Sequence, residues 1–343
     1  MWTKRRGGGL AAARNVAHAH LKKPSARRTR KGLDRRNHRR YRRFLRHGRG
    51  RFYRLLAELV ESSSAPYRCR PYGTPGRPPT LARDVARFLL IKHFEGWSYD
   101  ETYATLEALP ELAHKLGFRG KVPAASTVVG LVAKVPAAYL EALISQTSRR
   151  LSRGRVNAAG DATGVSTRQY QRWFDVRHGK KTRRRLFVKL HAMVATKAQW
   201  PFFLSARVTA GTWGDSPELE GLLDRLDPEV ELGNTALDKG YQSRRNAELI
   251  EGRGGLPVMD LKANVTPHPD GHPAWKRMVL RQRGNRRTFR CQYRRRTVIE
   301  GTFGAVKRRF GDTVRARRRH AQRIEILCRV VLWNVLGLVY QAR

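Results

Sequence analysis

Acidic side chains are scarce in this chain. Its 343 residues hold 27 Asp and Glu against 71 Lys and Arg, a formal net charge of +44. A surface that cannot neutralise itself needs a polyanion, and nucleic acid is the obvious one. Cysteine is scarcer still. Cys69, Cys291 and Cys328 are odd in number and far apart, fitting neither a disulfide framework nor a zinc cluster. They point to a reducing compartment. Long apolar runs are also lacking. The most apolar stretch, VVLWNVLGLVY at 330–340, contains Asn334 and follows Arg329. It is too short to span a bilayer and reads as a buried core helix. No basic amphipathic helix stands out to serve a membrane surface. The Arg-rich, acid-poor start resembles a transit peptide, but the same bias continues along the chain and argues against one.

What is present suffices for a folded protein. Hydrophobic residues make up 40%, and the length suits two domains plus an extension. Residues 1–50 are rich in Gly, Arg and Lys. They read either as a flexible basic arm that touches phosphates without reading sequence, or as a solubilising tail. FYRLLAELVE (52–61) predicts one short helix, and SSSAPYRCRPYGTPGRPP (62–79) is punctuated like a linker. LARDVARFLLIKHFEG (81–96) predicts a helix closing at Gly96, and SYDE (98–101) is a capping box opening the next, which stops near Pro110. ASTVVGLVAKVP (125–136) opens at Ser126 or Thr127, and AAYLEALISQTSRR (137–150) follows. These short helices suit a helix-turn-helix-like DNA-binding module over 80–150. A plain helical interaction domain fits the pattern nearly as well.

From about 155 the texture changes. VNAAGDATGVS (156–166), RLFVKLHAMVAT (185–196) and PFFLSARVTAG (201–211) predict three strands. SPELEGLLDRL (216–226) predicts a helix with Ser216 at its cap and Pro217 at its first position. A short strand ending in TALDKGY (235–241), a helix through RRNAELIEG and a strand LPVMDLK (256–262) follow. Three consecutive strands, then alternating helices and strands, describe an α/β sheet with a meander at one edge. The basic stretch HPDGHPAWKRMVLRQRGNRRTFR (268–290) reads as a loop, and His268 and His272 there lack the company a metal site needs.

One glutamate then sits among cations, in YRRRTVIEGTFGAVK (293–307). On a helix at about 100° per residue, Ile299, Phe303, Val306 and Phe310 form an apolar stripe. Tyr293, Arg296, Glu300 and Lys307 then fall within roughly 60° of one another on its flank. A solvated charged face with local pairing is the plain reading. Two aspartates offer another. Asp161 lies in the small-residue run GDATG, and Asp238 lies in LDKGY, where a strand meets a loop. Each alone reads equally as a turn residue. Together with Glu300 they could meet across a sheet, and three carboxylates can hold two divalent ions for attack on a phosphodiester. Mg2+ suits such an all-oxygen set. The final helix (323–340) is expected to pack against the helix carrying Glu300, with Trp333 in the core rather than stacking on a base.

The spacing Tyr293-x2-Arg296-x3-Glu300-x6-Lys307 resembles the Tyr-Arg-Glu-Lys signature of insertion-sequence DDE transposases. DAT at Asp161 and DKGY at Asp238 look like that family's first two acidic motifs, and LLIKHFEGWSYDE is similar to its N-terminal domain. The resemblance covers about residues 80–343. It implies a ribonuclease-H-like α/β core at 151–343 and a helical DNA-binding domain at 80–150; composition makes residues 1–79 a basic arm and linker. It also implies that Asp161, Asp238 and Glu300 are the catalytic metal ligands, holding two Mg2+ or Mn2+ ions. Tyr293, Arg296 and Lys307 would contact transposon-end phosphates. The implied partner is double-stranded DNA, bound by a homodimer at element ends and target, in the cytoplasm at the nucleoid. Only 62 residues separate Asp238 from Glu300 (300 − 238 = 62), too few for the large β insertion of some relatives. A structure-specific nuclease on the same fold, and a non-catalytic nucleic-acid-binding derivative, are the other functions compatible with these residues.

Overall fold

The computed structural model describes residues 48–70, 79–167 and 187–341. The expected basic arm lies almost wholly outside them, as does part of the linker. Helix α1 (Arg49–Ser62) opens the described chain. It buries Phe52, Leu56 and Leu59, and Phe52 stacks on Phe94 with ring centroids 3.8 Å apart. Helix α2 (Ala82–Glu95) ends as expected at Gly96, whose φ of 79° is a left-handed cap that a side chain would strain. The capping box at the start of α3 (Tyr99–Ala108) is formed. Glu101 N–H donates to Ser98 Oγ at 3.1 Å, and Ser98 N–H donates to Glu101 Oε2 at 2.7 Å.

Pro110 ends one helix and begins another, α4 (Pro110–Lys115). Helix α5 (Ala125–Leu131) departs from expectation, because it starts at Ala125 and no side chain caps it. Ser126 and Thr127 lie inside its first turn. Helix α6 (Ala137–Leu151) then runs back, bent by 87° from the segment before it, and buries Leu140, Leu143 and Ile144. These helices share one apolar core with a face of the sheet that follows.

The sheet confirms the mixed α/β reading. Strands β1 (Val156–Thr167), β2 (Phe187–Ala195) and β3 (Phe203–Ala210) form the predicted antiparallel meander. Helix α7 (Glu218–Leu223) follows; Pro217 rather than Ser216 takes its cap position, and the Ser216 hydroxyl instead accepts from Asn246 Nδ2 at 3.0 Å. Strand β4 (Leu232–Leu237), helix α8 (Arg244–Gly252) and strand β5 (Leu256–Met259) complete the path. The strand order is β3-β2-β1-β4-β5, with β4 and β5 parallel to β1.

The stretch read as a loop at 268–290 is largely helical: α9 (Pro273–Gly284) and α10 (Arg286–Tyr293). Proline at the first position starts α9, and Ala274, Trp275, Met278 and Val279 form its buried stripe. A 3-10 turn over Arg294–Arg296 leads into α11 (Thr297–Phe310), so 293–307 is not the continuous α-helix its periodicity suggests. The two-residue strand β6 (Thr313–Val314) pairs with the far end of β1. Helix α12 (Arg319–Gln341) is long and apolar enough to cross a membrane by length and composition, but 83% of its most apolar window is buried inside the protein. Its contacts include α11, as expected. Trp333 is 8% exposed, stacks near Trp200 and donates to Pro201 O at 2.7 Å.

Asn334 explains why a polar residue interrupts that apolar helix. Its Oδ1 accepts from Phe203 N–H at 2.8 Å, and its Nδ2 donates to Phe203 O at 2.8 Å and Thr147 Oγ1 at 3.1 Å. The amide satisfies the buried backbone of β3, the edge strand. Asn334→Ala is therefore expected to destabilise the fold by about 3 kcal/mol, because an unsatisfied buried donor and acceptor remain. Urea unfolding checks this, and an unchanged midpoint would show that the edge finds other partners.

Candidate active site

Asp161 projects from the middle of β1, where the chain is built of small residues. A Cβ on neighbouring Gly160 would lie 2.4 Å from Leu237 Cδ2. That close approach brings β4 beside β1, with Gly160 opposite Leu237, and so sets Asp238 next to Asp161. Ala159, Val165 and Ala192 face the core that contains Ile299, Phe303 and Val306 of α11. By strand alternation Asp161 lies on that same face, toward the helix carrying Glu300.

Arg296 joins the acids. Its Nη1 donates to Asp161 Oδ2 at 2.9 Å and its Nη2 to Glu300 Oε1 at 2.7 Å. Asp161 Oδ1 accepts from the N–H of Ala162 at 2.8 Å. The Asp161 carboxyl is nonetheless raised above the ordinary carboxylate range. Burial is the main cause; Asp238 and Glu300 add to it, while the Ala162 N–H and Arg296 oppose it. The three carboxylates are thus electrostatically coupled. Asp238 caps the 3-10 turn Lys239–Tyr241, and among the described residues its carboxylate has no hydrogen-bond or ion-pair partner.

The other signature residues lie around this cluster. Tyr293 ends α10 and stacks on Phe289 at 5.9 Å, with the Arg296 guanidinium 5.9 Å from its ring centre. Burial first, then Asp238 and Asp260, push its phenol up, against the pull of Arg296. Lys307 reaches back to β1, donating to Thr163 Oγ1 at 2.7 Å and Gly164 O at 2.8 Å. Burial lowers its pKa. Asp161, Glu300 and Arg296 are therefore in direct contact, Asp238 is coupled to them, and Tyr293 and Lys307 flank them on opposite sides. His268 and His272 belong to no metal-binding group among the described residues.

A second layer beneath the acids was not foreseen. Tyr241 is 1% exposed, and its hydroxyl has no partner among the described residues. Burial, then Asp215, Asp161, Glu218 and Asp238, raise its phenol far above normal. On the same side of the sheet, Lys189 Nζ pairs with Asp215 Oδ1 at 2.6 Å. His191 Nδ1 lies 3.5 Å from that oxygen, and burial lowers His191 to about 4, so it is neutral. The alternation of Lys189 and His191 along β2 was the available signal; the arrival of Asp215 from a loop was not in the sequence pattern.

As the side chains stand, no three Asp, Glu, His or Cys among the described residues form a metal-binding group. The guanidinium of Arg296 is the positive charge between Asp161 and Glu300. The donor set still fits a hard divalent cation: three oxygen ligands, mutually repelling and held on separate elements.

The family model described as Transposase DDE domain matches residues 154–335, from just before β1 through most of α12. Among solved structures, the chain is similar to a cryo-EM structure of a piggyBac transposase synaptic complex with hairpin DNA. Identity is 12% over 84% of this chain and 71% of that one, with a TM-score of 0.39, too low to bear on the fold. No curated protein matches.

Proposed function

The chain belongs to the family defined by the transposase DDE domain, and from that premise we propose that it is an insertion-sequence transposase. It binds the terminal inverted repeats of its element, cleaves there, and joins the freed 3′ end to target DNA. The observation that carries the reading is the bridge from Asp161 through Arg296 to Glu300, beside Asp238, all within the matched segment.

Asp161, Asp238 and Glu300 would hold Mg2+ or Mn2+, which when bound supplies an activated water and charge neutralisation at the scissile phosphate. The sheet order, with a meander beside parallel strands, supports a ribonuclease-H-like core at 151–343. Arg296 releases the carboxylates and turns its planar fork to a phosphate, for which it is suited. Lys307 offers its ammonium from beside Thr163, and Tyr293 packs the strand approaching from the α10 side. The helices of 80–150, with α5 exposed at Ser126 and Val129, are assigned to the inverted repeats. A homodimer on DNA follows from the need to pair two ends, and its place would be the cytoplasm, at the nucleoid where that DNA lies.

The test is incubation of the full chain and Mg2+ with duplexes carrying the repeats that flank its gene, or scrambled repeats, plus a target plasmid. Nicking at the repeat boundary and joined products are expected, with a preference over scrambled ends of about 10³-fold. Nicking without end preference would make the protein a structure-specific nuclease. Binding without nicking would make it a non-catalytic derivative.

A further inference from the structure

Between Asp270 and Glu300 the chain holds no acidic residue, although it carries Lys276 and nine arginines there, Arg277, Arg281, Arg283, Arg286, Arg287, Arg290, Arg294, Arg295 and Arg296. Some exposed arginines nearby have acidic partners: Arg245 pairs with Glu220 at 2.7 Å and Arg253 with Asp224 at 3.3 Å, and within the stretch Arg277 pairs with Glu251 at 2.5 Å. Arg286, Arg287, Arg290 and Arg294 are exposed and, among the described residues, their guanidinium groups have neither a hydrogen bond nor an ion pair.

Their placement is ordered. Phe289 is 5% exposed and anchors α10 against Ala236 and Val258 of β4 and β5. With about 100° per residue, Tyr293, Arg286, Arg290 and Arg287 succeed one another around a single side of the helix, starting next to Phe289. Arg286 and Arg290, and Arg290 and Arg294, are like charges four residues apart, an arrangement that destabilises a helix on its own. A row of unanswered arginines maintained against self-repulsion, and leading through Tyr293 to Arg296, is built for an external polyanion.

We propose that α10 is a backbone-binding track for duplex DNA entering the active site, in which Arg286, Arg287 and Arg290 each grip a phosphate without reading bases. This rests on the reading of the chain as a DNA-acting enzyme and adds a surface outside the Tyr-Arg-Glu-Lys spacing. The distal strand runs along α10 before its scissile phosphate reaches the Arg296 pair.

The experiment is equilibrium binding of the full chain to duplexes in EDTA, from 50 to 200 mM salt, for wild type and R286Q/R287Q/R290Q. Each phosphate contact contributes about 0.9 to the slope of log K against log salt, so the slope should flatten by roughly 2–3. Binding at low salt should weaken at least tenfold, equally for repeat-bearing and unrelated duplexes. The control is R245Q/R253Q, which removes exposed arginines that already have acidic partners and should leave the slope nearly unchanged. An unchanged slope in the triple variant, an equal change in the control, or a loss confined to repeat-bearing duplexes would overturn the track. Thermal unfolding of the triple variant should match wild type; should it not, each single variant is measured and must give about a third of the slope change. Because binding is read without divalent ion, a failure of the Mg2+ cleavage assay would sink the transposase reading without touching this result.

Discussion

Replacing Asp161, Asp238 or Glu300 by Ala is expected to lower Mg2+-dependent cleavage at an element end by about 10³-fold or more, with double replacements hardly worse than single ones. A cation site of three carboxylates works as a unit, so losing one oxygen donor forfeits most of what the other two provide. The same changes should not harm folding. Burial and the neighbouring acids raise the Asp161 carboxyl, so the folded state disfavours its charge at neutral pH. The sign follows: a raised carboxyl favours the fold at acid pH and loses that contribution as pH climbs through its folded value. Asp161→Asn removes that cost while Arg296 keeps Glu300, so the melting temperature at neutral pH should hold or rise as activity collapses. Wild-type cleavage in any one variant would remove that residue from the site, and a large fall in melting temperature would make its role structural.

The positions of Asp161 and Glu300 were legible because each sits where local pattern is strong. Asp161 interrupts a strand of Ala and Gly that permits the close packing of β4, and Glu300 flanks a clear apolar stripe of Ile299, Phe303 and Val306. The residue linking them was legible only as a neighbour on a helix. Periodicity placed Arg296 beside Glu300, but its bond to Asp161, 135 positions away, is a tertiary fact. The continuous helix expected over 293–307 is instead two helices joined by a 3-10 turn at Arg294–Arg296. Tyr293 stacks on Phe289 one turn back within α10, while Arg296, past the break, reaches Asp161 on the sheet.

The helices at 273–293 were missed because their charge hides their pattern. Ala274, Trp275, Met278 and Val279 recur at helical spacing, but the His, Pro and Gly residues before them and the arginines after them read as loop. The layer of buried His191, Glu218 and Tyr241 with half-buried Asp215 was beyond sequence reasoning altogether. Polar residues from β2, a loop, α7 and a 3-10 turn meet there, and no periodicity within one segment encodes such a meeting. What short-range pattern reaches is the element and its buried face; what it cannot reach is which polar groups two distant elements bring together.

Arg296→Lys should cut cleavage by about 10²-fold, whereas Lys307→Ala should weaken end binding with a smaller effect on rate. The difference comes from geometry. Arg296 spans Asp161 and Glu300 with two separate N–H groups at 2.9 and 2.7 Å, a planar fork that one ammonium cannot reproduce. The same fork suits a phosphate, so Lys should fail both in pairing the empty acids and in holding the scissile group. Replacing Arg296 also frees two carboxylates for cation, so Arg296→Ala should bind Mn2+ more tightly than wild type, by about tenfold in the absence of DNA. Lys307 holds Thr163 and Gly164 rather than an acid, so its loss should leave Mn2+ affinity unchanged. Cleavage, end binding and Mn2+ titration of the three variants, measured together, separate the roles. If cleavage and Mn2+ affinity stay at wild-type levels in both Arg296 variants, the arginine only pairs with Asp161 and Glu300 as a structural link, and the helix pair within it contributes well under about 1 kcal/mol. Arg296 would then drop out of the functional set, leaving Glu300 as the group of its helix that acts.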